Sequence, residues 1–503
     1  MYDLVIHNAC IVDGTGNPWY TADIGVKDGR IEAIGSLSGE AGERIEAAGR
    51  VLAPGFIDVH THVDRNITKM PWCENYLRQG VTTVVGGNCG SSRWPVARHL
   101  AEVEQSAPAI NYAMLVGHGT IRNRVMGGAA RRRPTEAEMQ QMVDLVRQGL
   151  TEGAIGMSAG LRYVPGYYAE TSEVIELAKP VAGQRRPLSI HIRDEANLDG
   201  GLVEAVSEAV EIAAGSGVSV EISHLKCLGQ KAWHMTGTIL QVIEAAREKG
   251  LDVTFDQYPY IASSTSIAGA LVPRWAQEGG GAAMRNRLRL DSTGEDREKI
   301  RSEMAAAIEE RGGPESLVIA ANAIDPQLNG LSLSTIGKEW GIAPVDVAIE
   351  MQLRGGATLI SFNMCEADVE RIMKHWAGMV ASDGDLWSLG EGHPHPRSYG
   401  TFPRVLGTYV RRKKVLRLEE AIRKMTSFPA RRLGLRDRGI IAEGFVADLV
   451  LFDPEQIADQ ATFEQPHAYC RGIDFVVVGG EIVLVGDELT GRRPGRVLRG
   501  EAR

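Results

Sequence analysis

Between residues 56 and 435 the chain repeats one unit: a short, nearly continuous apolar run, then a stretch with helical spacing of apolar positions, then a glycine or polar turn. A run without polar alternation is the pattern of a strand buried on both faces, and such runs separated by helices predict parallel β/α units. Eight runs can be counted: GFIDVH, VTTVVGG, NYAMLVGH, AIGMSAG, LSIHIR, VSVEISH, DVTFDQY and MVASDG. Eight units of this kind predict a closed (β/α)8 barrel of the TIM type. The segments between them read as helices, among them residues 136–150, 201–214, 237–249 and 366–376.

Both termini have a different rhythm. Residues 1–55 and 436–503 alternate apolar and polar positions around glycine turns, with Asp28-Gly29 as a hairpin signal, and predict one small β-sandwich domain built from the two ends. The stretch at about 275–365 is too long for a connection and contains its own helical pattern, DREKIRSEMAAAIEE. It predicts an inserted subdomain that acts as a lid.

Composition narrows the partners. With 503 residues, 44% of them hydrophobic, the chain can bury a large core, and its net charge of −9 offers no basic field for nucleic acid or an anionic membrane. A small-molecule partner is expected. The start, MYDLVIHNACIVDG, lacks the features of a secretory signal and no segment is apolar enough to span a membrane, so a cytoplasmic enzyme is expected. Cys10, Cys73, Cys89, Cys227, Cys365 and Cys470 are scattered without CxxC pairing, which reads as free thiols. No GxxxxGK[ST], and no GxGxxG after a strand, marks a nucleotide site.

Five of the eight runs end in groups able to bind a transition metal: His60 with His62, Cys89, His191, His224 and Asp383. A parallel barrel builds its active site at the C-terminal ends of its strands, so these six side chains should meet at one mouth. Imidazole and thiolate are zinc ligands, and Cys89, His191 and His224 make a three-ligand set with a position left open. His60 and His62 add a second metal position, with Asp383 beside both.

The motifs also carry a resemblance. APGFIDVHTH, NYLRQGVTTVVGGNCG, GHGT, GAIGMSAGLRYVPGYYA, HIRDE, SHLKC, DQYPYIASSTS, ASDG and HPHPRSYGTFPRVLGTYVR are similar, in that order, to the N-acyl-D-amino-acid deacylases of the amidohydrolase superfamily. The resemblance implies zinc-dependent hydrolysis of an N-acyl-D-amino acid, with one tight zinc at Cys89, His191 and His224 and a weaker second site at His60 and His62. It implies Asp383 as catalytic carboxylate, and Lys226, Tyr258 and Arg397 as the residues that grip the substrate's α-carboxylate. Lys226 follows His224 by two residues, which on an extended strand puts both on one face.

Some positions depart from the pattern. Asp194 and Leu225 replace residues common in relatives, and Arg162 and Arg274 stand where apolar residues are usual, which predicts a more polar acyl or side-chain pocket and leaves side-chain preference open. His118 reads as a structural hydrogen-bonding group or as an oxyanion donor, and Cys227 as a small buried residue. Residues 131–133 read as a solvated loop, and His393 and His395 as lining the mouth. Two rival readings are a cyclic-amide hydrolase of the dihydroorotase or hydantoinase kind, and a non-catalytic assembly protein on the same scaffold. The first relies on a fourth-strand lysine that AIGMSAG lacks; the intact ligand set argues against the second.

Overall fold

The computed structural model describes residues 1–197, 200–289, 294–322 and 324–500; parts of the expected insertion and of the C-terminal segment lie outside these. All eight apolar runs form strands, in one parallel sheet: Phe56–Asp58, Val81–Gly86, Asn111–Gly117, Gly156–Gly160, Pro187–His191, Ser219–Ile222, Val253–Gln257 and Gly378–Val380, each beside its predecessor. Nearly every residue in them is buried, because the barrel interior covers one face and the helices the other. The helices Glu136–Thr151, Leu202–Ser216, Thr236–Glu248 and Glu366–Lys374 occupy the segments with helical spacing.

The first and last strands are too short to pair along their length, and the ring closes just beyond them. The Asp383 amide donates to His60 O at 2.9 Å, and the His62 amide donates to Gly384 O at 2.8 Å. Closure thus runs through residues expected to bind the metal.

The insertion has its own antiparallel sheet, in the order Ser263–Ser266, Ala357–Ser361, Leu317–Asn322. Helices including Gly294–Glu310, Leu333–Trp340 and Pro344–Leu353 pack with it around a separate core that holds Ile300, Met304, Ile319, Leu333 and Leu359. Its first strand, SSTS, lies a dozen residues before the expected start at 275. This edge strand is polar and short, so hydrophobic pattern does not mark it.

The termini share one nine-stranded sheet. Tyr2–Ile11 pairs antiparallel with Tyr20–Lys27 on one side, and on the other with Ala41–Glu46 and then Val51–Pro54. Val51–Pro54 also pairs with Leu449–Phe452, which brings in the C-terminal strands. Leu4, Ile6, Ile24, Ile45, Leu449, Leu451 and Val477 form a core distinct from the barrel's. Beyond the last strand, Glu488–Leu489, the chain leaves this sheet: Tyr112 donates to Arg496 O at 2.9 Å and Gly500 to Gly153 O at 3.0 Å, both on the barrel. No helix among the described residues is long and apolar enough to cross a membrane.

Asp448 fastens the terminal sheet to the barrel. Its buried carboxylate pairs with Arg438 and accepts from the Gly479 amide at 2.7 Å and from Asn111 Nδ2 at 3.0 Å. Removing one partner of a buried pair leaves a desolvated charge, so Asp448→Ala should destabilise the fold by on the order of 3 kcal/mol. The measurement is thermal unfolding of both proteins; an unchanged midpoint would show that the carboxylate is dispensable.

Candidate metal centre and active site

Strand ends bring the site together, and sharp turns aim it. His191 ends the fifth strand, whereas Cys89, His224 and Asp383 lie two or three residues past theirs with φ of 53°, 39° and 52°. Left-handed backbone at non-glycine residues costs roughly 1 to 3 kcal/mol each and collects at functional sites. The surrounding glycines leave room for these turns. A Cβ at Gly160 would stand 2.1 Å from the carbonyl oxygen of Cys89, and one at Gly90 would stand 2.6 Å from the Gly160 amide nitrogen.

Cys89 Sγ lies 3.3 Å from His60 Nε2, 3.5 Å from His191 Nδ1 and 3.5 Å from His224 Nε2. Zn–N bonds of about 2.05 Å and a Zn–S bond of about 2.3 Å at the tetrahedral angle put N and S about 3.6 Å apart, which each of these pairs matches; the donors that lie mutually close with Cys89 are His60 and His224, while His191 groups with Glu195 and His224. A neighbouring group, His60, His62 and Asp383, is equally compact: Asp383 Oδ1 is 3.0 Å from His62 Nε2 and 3.5 Å from His60 Nε2. His62 is the most solvent-open of the imidazoles, with its side chain 21% exposed. All six predicted metal-binding residues therefore meet at one mouth.

The far nitrogens of the rings are held by carboxylates. His60 Nδ1 lies 3.3 Å from Asp256, while Glu195 lies 3.3 Å from His191 Nε2 and 3.2 Å from His224 Nδ1. Such partners orient an imidazole and raise its basicity toward a metal. Burial, above all, lowers the pKa of all three rings and so favours the neutral, ligating form. Burial and the nearby Asp383 push the Cys89 thiol up; a coordinated cation reverses this and deprotonates it. Burial also raises Asp256 to about 7, although the His224 amide donates to it at 2.8 Å.

Asp383 is the counterexample. Burial would raise its pKa, but the Arg397 guanidinium, 2.8 Å away, and the surrounding imidazoles hold it well below the usual carboxylate range. Glu195 behaves alike: against burial, the Lys226 ammonium and His191 keep it ionised.

The predicted substrate-binding residues adjoin the metal donors. Arg397 stacks over the Tyr258 ring at 4.8 Å, and Lys226 Nζ lies 5.5 Å from that ring's centre. Lys226 pairs with Glu195 and sits 2.6 Å from His224 Nδ1, although the strand has already ended at Ile222, so extended alternation is not what joins them. A cavity of about 1210 Å³ opens over the site, with His62, Cys89, Asp383, Arg397 and Ser264 in its wall. His395 lines it too and orients Arg397 by accepting from its amide at 3.1 Å. His118 is elsewhere, buried against Glu173 at 2.9 Å beside Arg122, and His393 contacts the Phe463 carbonyl. Cys227 is buried, while Arg132 and Arg133 pair with Glu138 and Glu170 at the surface. Arg162 lines a small inner cavity by the metal donors, whereas Arg274 faces an outer one and donates through Nε to Arg162 O at 3.1 Å.

Sequence reasoning missed Glu195 and Asp256. Glu195 carried a faint signal, four residues after His191; Asp256 is one of many strand carboxylates.

Residues 43–279 and 351–484 match the amidohydrolase family, and residues 1–43 match the N-terminal domain of the urease alpha-subunit. The chain belongs to the amidohydrolase family. Among its full-length relatives is an N-acyl-D-glutamate deacylase of Alcaligenes xylosoxydans xylosoxydans, 36% identical with 99% of this chain and 97% of the relative covered. A solved N-acyl-D-glutamate deacylase of Bordetella bronchiseptica, complexed with zinc and a phosphonate that mimics the tetrahedral intermediate, superposes with a TM-score of 0.86 at 36% identity, covering 99% of each chain. A solved D-aminoacylase with a binuclear metal centre, described as activated by one metal and attenuated by a second, gives 0.84 at 36% identity, covering 99% of this chain and 100% of that one.

Cys89 Sγ lies within 3.5 Å of three imidazole nitrogens. Cys89→Ala should therefore lose most of the tightly held zinc, from about one equivalent per chain in the wild type. Elemental analysis after gel filtration checks this, and full retention of zinc would remove Cys89 from the ligand set.

Proposed function

We propose that the protein is a zinc-dependent hydrolase that cleaves N-acyl-D-amino acids into a D-amino acid and a carboxylic acid. The observation that carries this reading is the convergence of the Cys89 sulfur and three neutral imidazoles beside an ionised Asp383, in a chain whose full-length relatives are deacylases of this kind. Cys89, His191 and His224 would hold the tight zinc, and His60, His62 and Asp383 the weaker second ion; a bound zinc would supply polarisation of the scissile carbonyl and a more acidic attacking water.

Asp383 does the proton work. Ionised by Arg397, it accepts a proton from the water as the water oxygen attacks the carbonyl carbon, and then delivers that proton to the amide nitrogen as the C–N bond breaks. Its Oδ2 is held by Arg397 at 2.8 Å while Oδ1 faces the imidazoles, which keeps one oxygen turned toward the reacting atoms.

Lys226, Tyr258 and Arg397 bind the α-carboxylate. Ammonium and guanidinium retain donors beyond those used on Glu195 and Asp383, and Tyr258 lies beside both cations. Recognition of that group separates this reading from a general amidase. The fourth strand, GMSAG, has no lysine, which counts against a cyclic-amide hydrolase of the hydantoinase kind. The six cysteines, none in a disulfide, suit a reducing cytoplasm.

Released amine is measured with N-acetyl and N-formyl D- and L-amino acids; hydrolysis of D substrates is expected, and turnover confined to L substrates or to cyclic amides would sink the reading. Asp383→Asn should keep the tight zinc and lose on the order of 100-fold or more in kcat, and activity within a few-fold of wild type would disprove the proton role. Lys226→Ala should lower kcat/KM for an N-acetyl-D-amino acid by roughly 10- to 1000-fold and affect the matching α-carboxamide far less. An equal loss on both substrates would take Lys226 out of carboxylate recognition.

A further inference from the structure

A second set of soft donors lies at the other end of the loop that carries His224 and Lys226. A ring nitrogen of His234, the Cys365 sulfur and an oxygen of Asp368 all stand within 4.8 Å of one another. His234 comes two residues before the helix Thr236–Glu248, Cys365 immediately precedes the helix Glu366–Lys374, and Asp368 is the third residue of that second helix. None of the three lines the reaction cavity or the small cavity beside it.

The donors are held in place by their surroundings. Asp368 is buried, and both of its oxygens are fixed: the His234 amide donates to Oδ2 at 2.8 Å and Thr236 Oγ1 to Oδ1 at 2.8 Å. Cys365 Sγ donates to the same Oδ2 at 3.0 Å. Asn363 O accepts from the Gly229 amide at 2.6 Å and from Trp233 Nε1 at 3.1 Å, which ties the same two segments together. Holding the amide and the hydroxyl requires only the Asp368 carboxylate; it asks nothing of an imidazole at 234 or a thiol at 365. Yet the backbone at His234 is left-handed, with φ of 67°, and its exposed ring makes no hydrogen bond among the described residues.

Imidazole, thiolate and carboxylate together are a zinc donor set, and the sulfur disfavours magnesium and calcium, which take oxygen. Ligand atoms at about 2.0 to 2.3 Å from a tetrahedral ion stand roughly 3.3 to 3.6 Å apart, within the spread of this group. Solvent on the His234 side supplies water as the fourth ligand.

We propose that His234, Cys365 and Asp368 bind a zinc ion at a site separate from the reaction centre, and that this ion pins the loop bearing His224 and Lys226 to the segment where the chain leaves the insertion. Binding releases one proton: the S–H bond of Cys365 breaks, its proton goes to solvent, and the sulfur keeps the electron pair that it shares with the ion. No electron is transferred. The site is independent of what the mouth of the barrel hydrolyses.

The zinc-loaded enzyme is titrated with Co2+, whose bond to a thiolate gives a charge-transfer band in the near ultraviolet. Wild type should take up one further ion per chain and develop that band. Cys365→Ser should lose the band, and His234→Ala, a change at an exposed side chain, should weaken uptake by about 10-fold or more. Cys89→Ala, which removes the sulfur of the reaction centre, should keep it. Absence of the band in wild type overturns the proposal. So does a band that survives Cys365→Ser or disappears in Cys89→Ala, since its sulfur is then that of the reaction centre, and so does uptake unchanged in His234→Ala.

Discussion

One sulfur atom organises the mouth of this barrel. Three imidazole nitrogens from three strand ends lie 3.3 to 3.5 Å from Cys89 Sγ, a spacing that suits ligands around a shared cation better than side chains packed on one another. Brought this close without an ion, buried imidazoles and a thiol gain little from each other and forgo their hydration. The rest of the site follows from this convergence: carboxylates hold the far ring nitrogens, and cations hold the carboxylates.

That chain of charges alternates outward. Around the neutral rings stand Asp256 and Glu195; around the acids stand Lys226 and, at Asp383, Arg397. A buried acid with a cation against it stays ionised, as Asp383 and Glu195 do, while one that faces another carboxyl, a single amide and a neutral ring drifts upward, as Asp256 beside Glu221 does. Two carboxylates of similar burial are thereby set apart in protonation, Asp383 held ionised and Asp256 raised.

The scaffold concentrates its strain where the chemistry is. Cys89, His224 and Asp383 adopt left-handed backbone at strand ends, and the ring closes through backbone hydrogen bonds of His60, His62 and Asp383. Turns of this kind survive only where their surroundings over-determine them. Here the terminal sheet, bound through Asp448, and the returning C-terminal tail brace the barrel away from the mouth. The insertion contributes to the pocket instead, through Ser264, Thr265 and Arg311.

The sequence by itself determined the eight strands, the helices between them and the residues that end the strands. The reason is local: a strand covered on both faces must be apolar throughout, and a parallel barrel turns the next residues toward one mouth. His60, His62, Cys89, His191, His224 and Asp383 were legible on that ground. Tertiary structure alone decided what each of them faces. Glu195 serves two histidines from a loop, and Asp256 reaches His60 across 196 positions of chain. The polar edge strand at Ser263 draws its pairing from Ala357–Ser361, and Arg311 is set beside Lys226 by a helix of the insertion. These are contacts between segments distant in sequence, where periodicity carries no information; they arise when closure of the barrel forces particular side chains to share one dry space and one balance of charge.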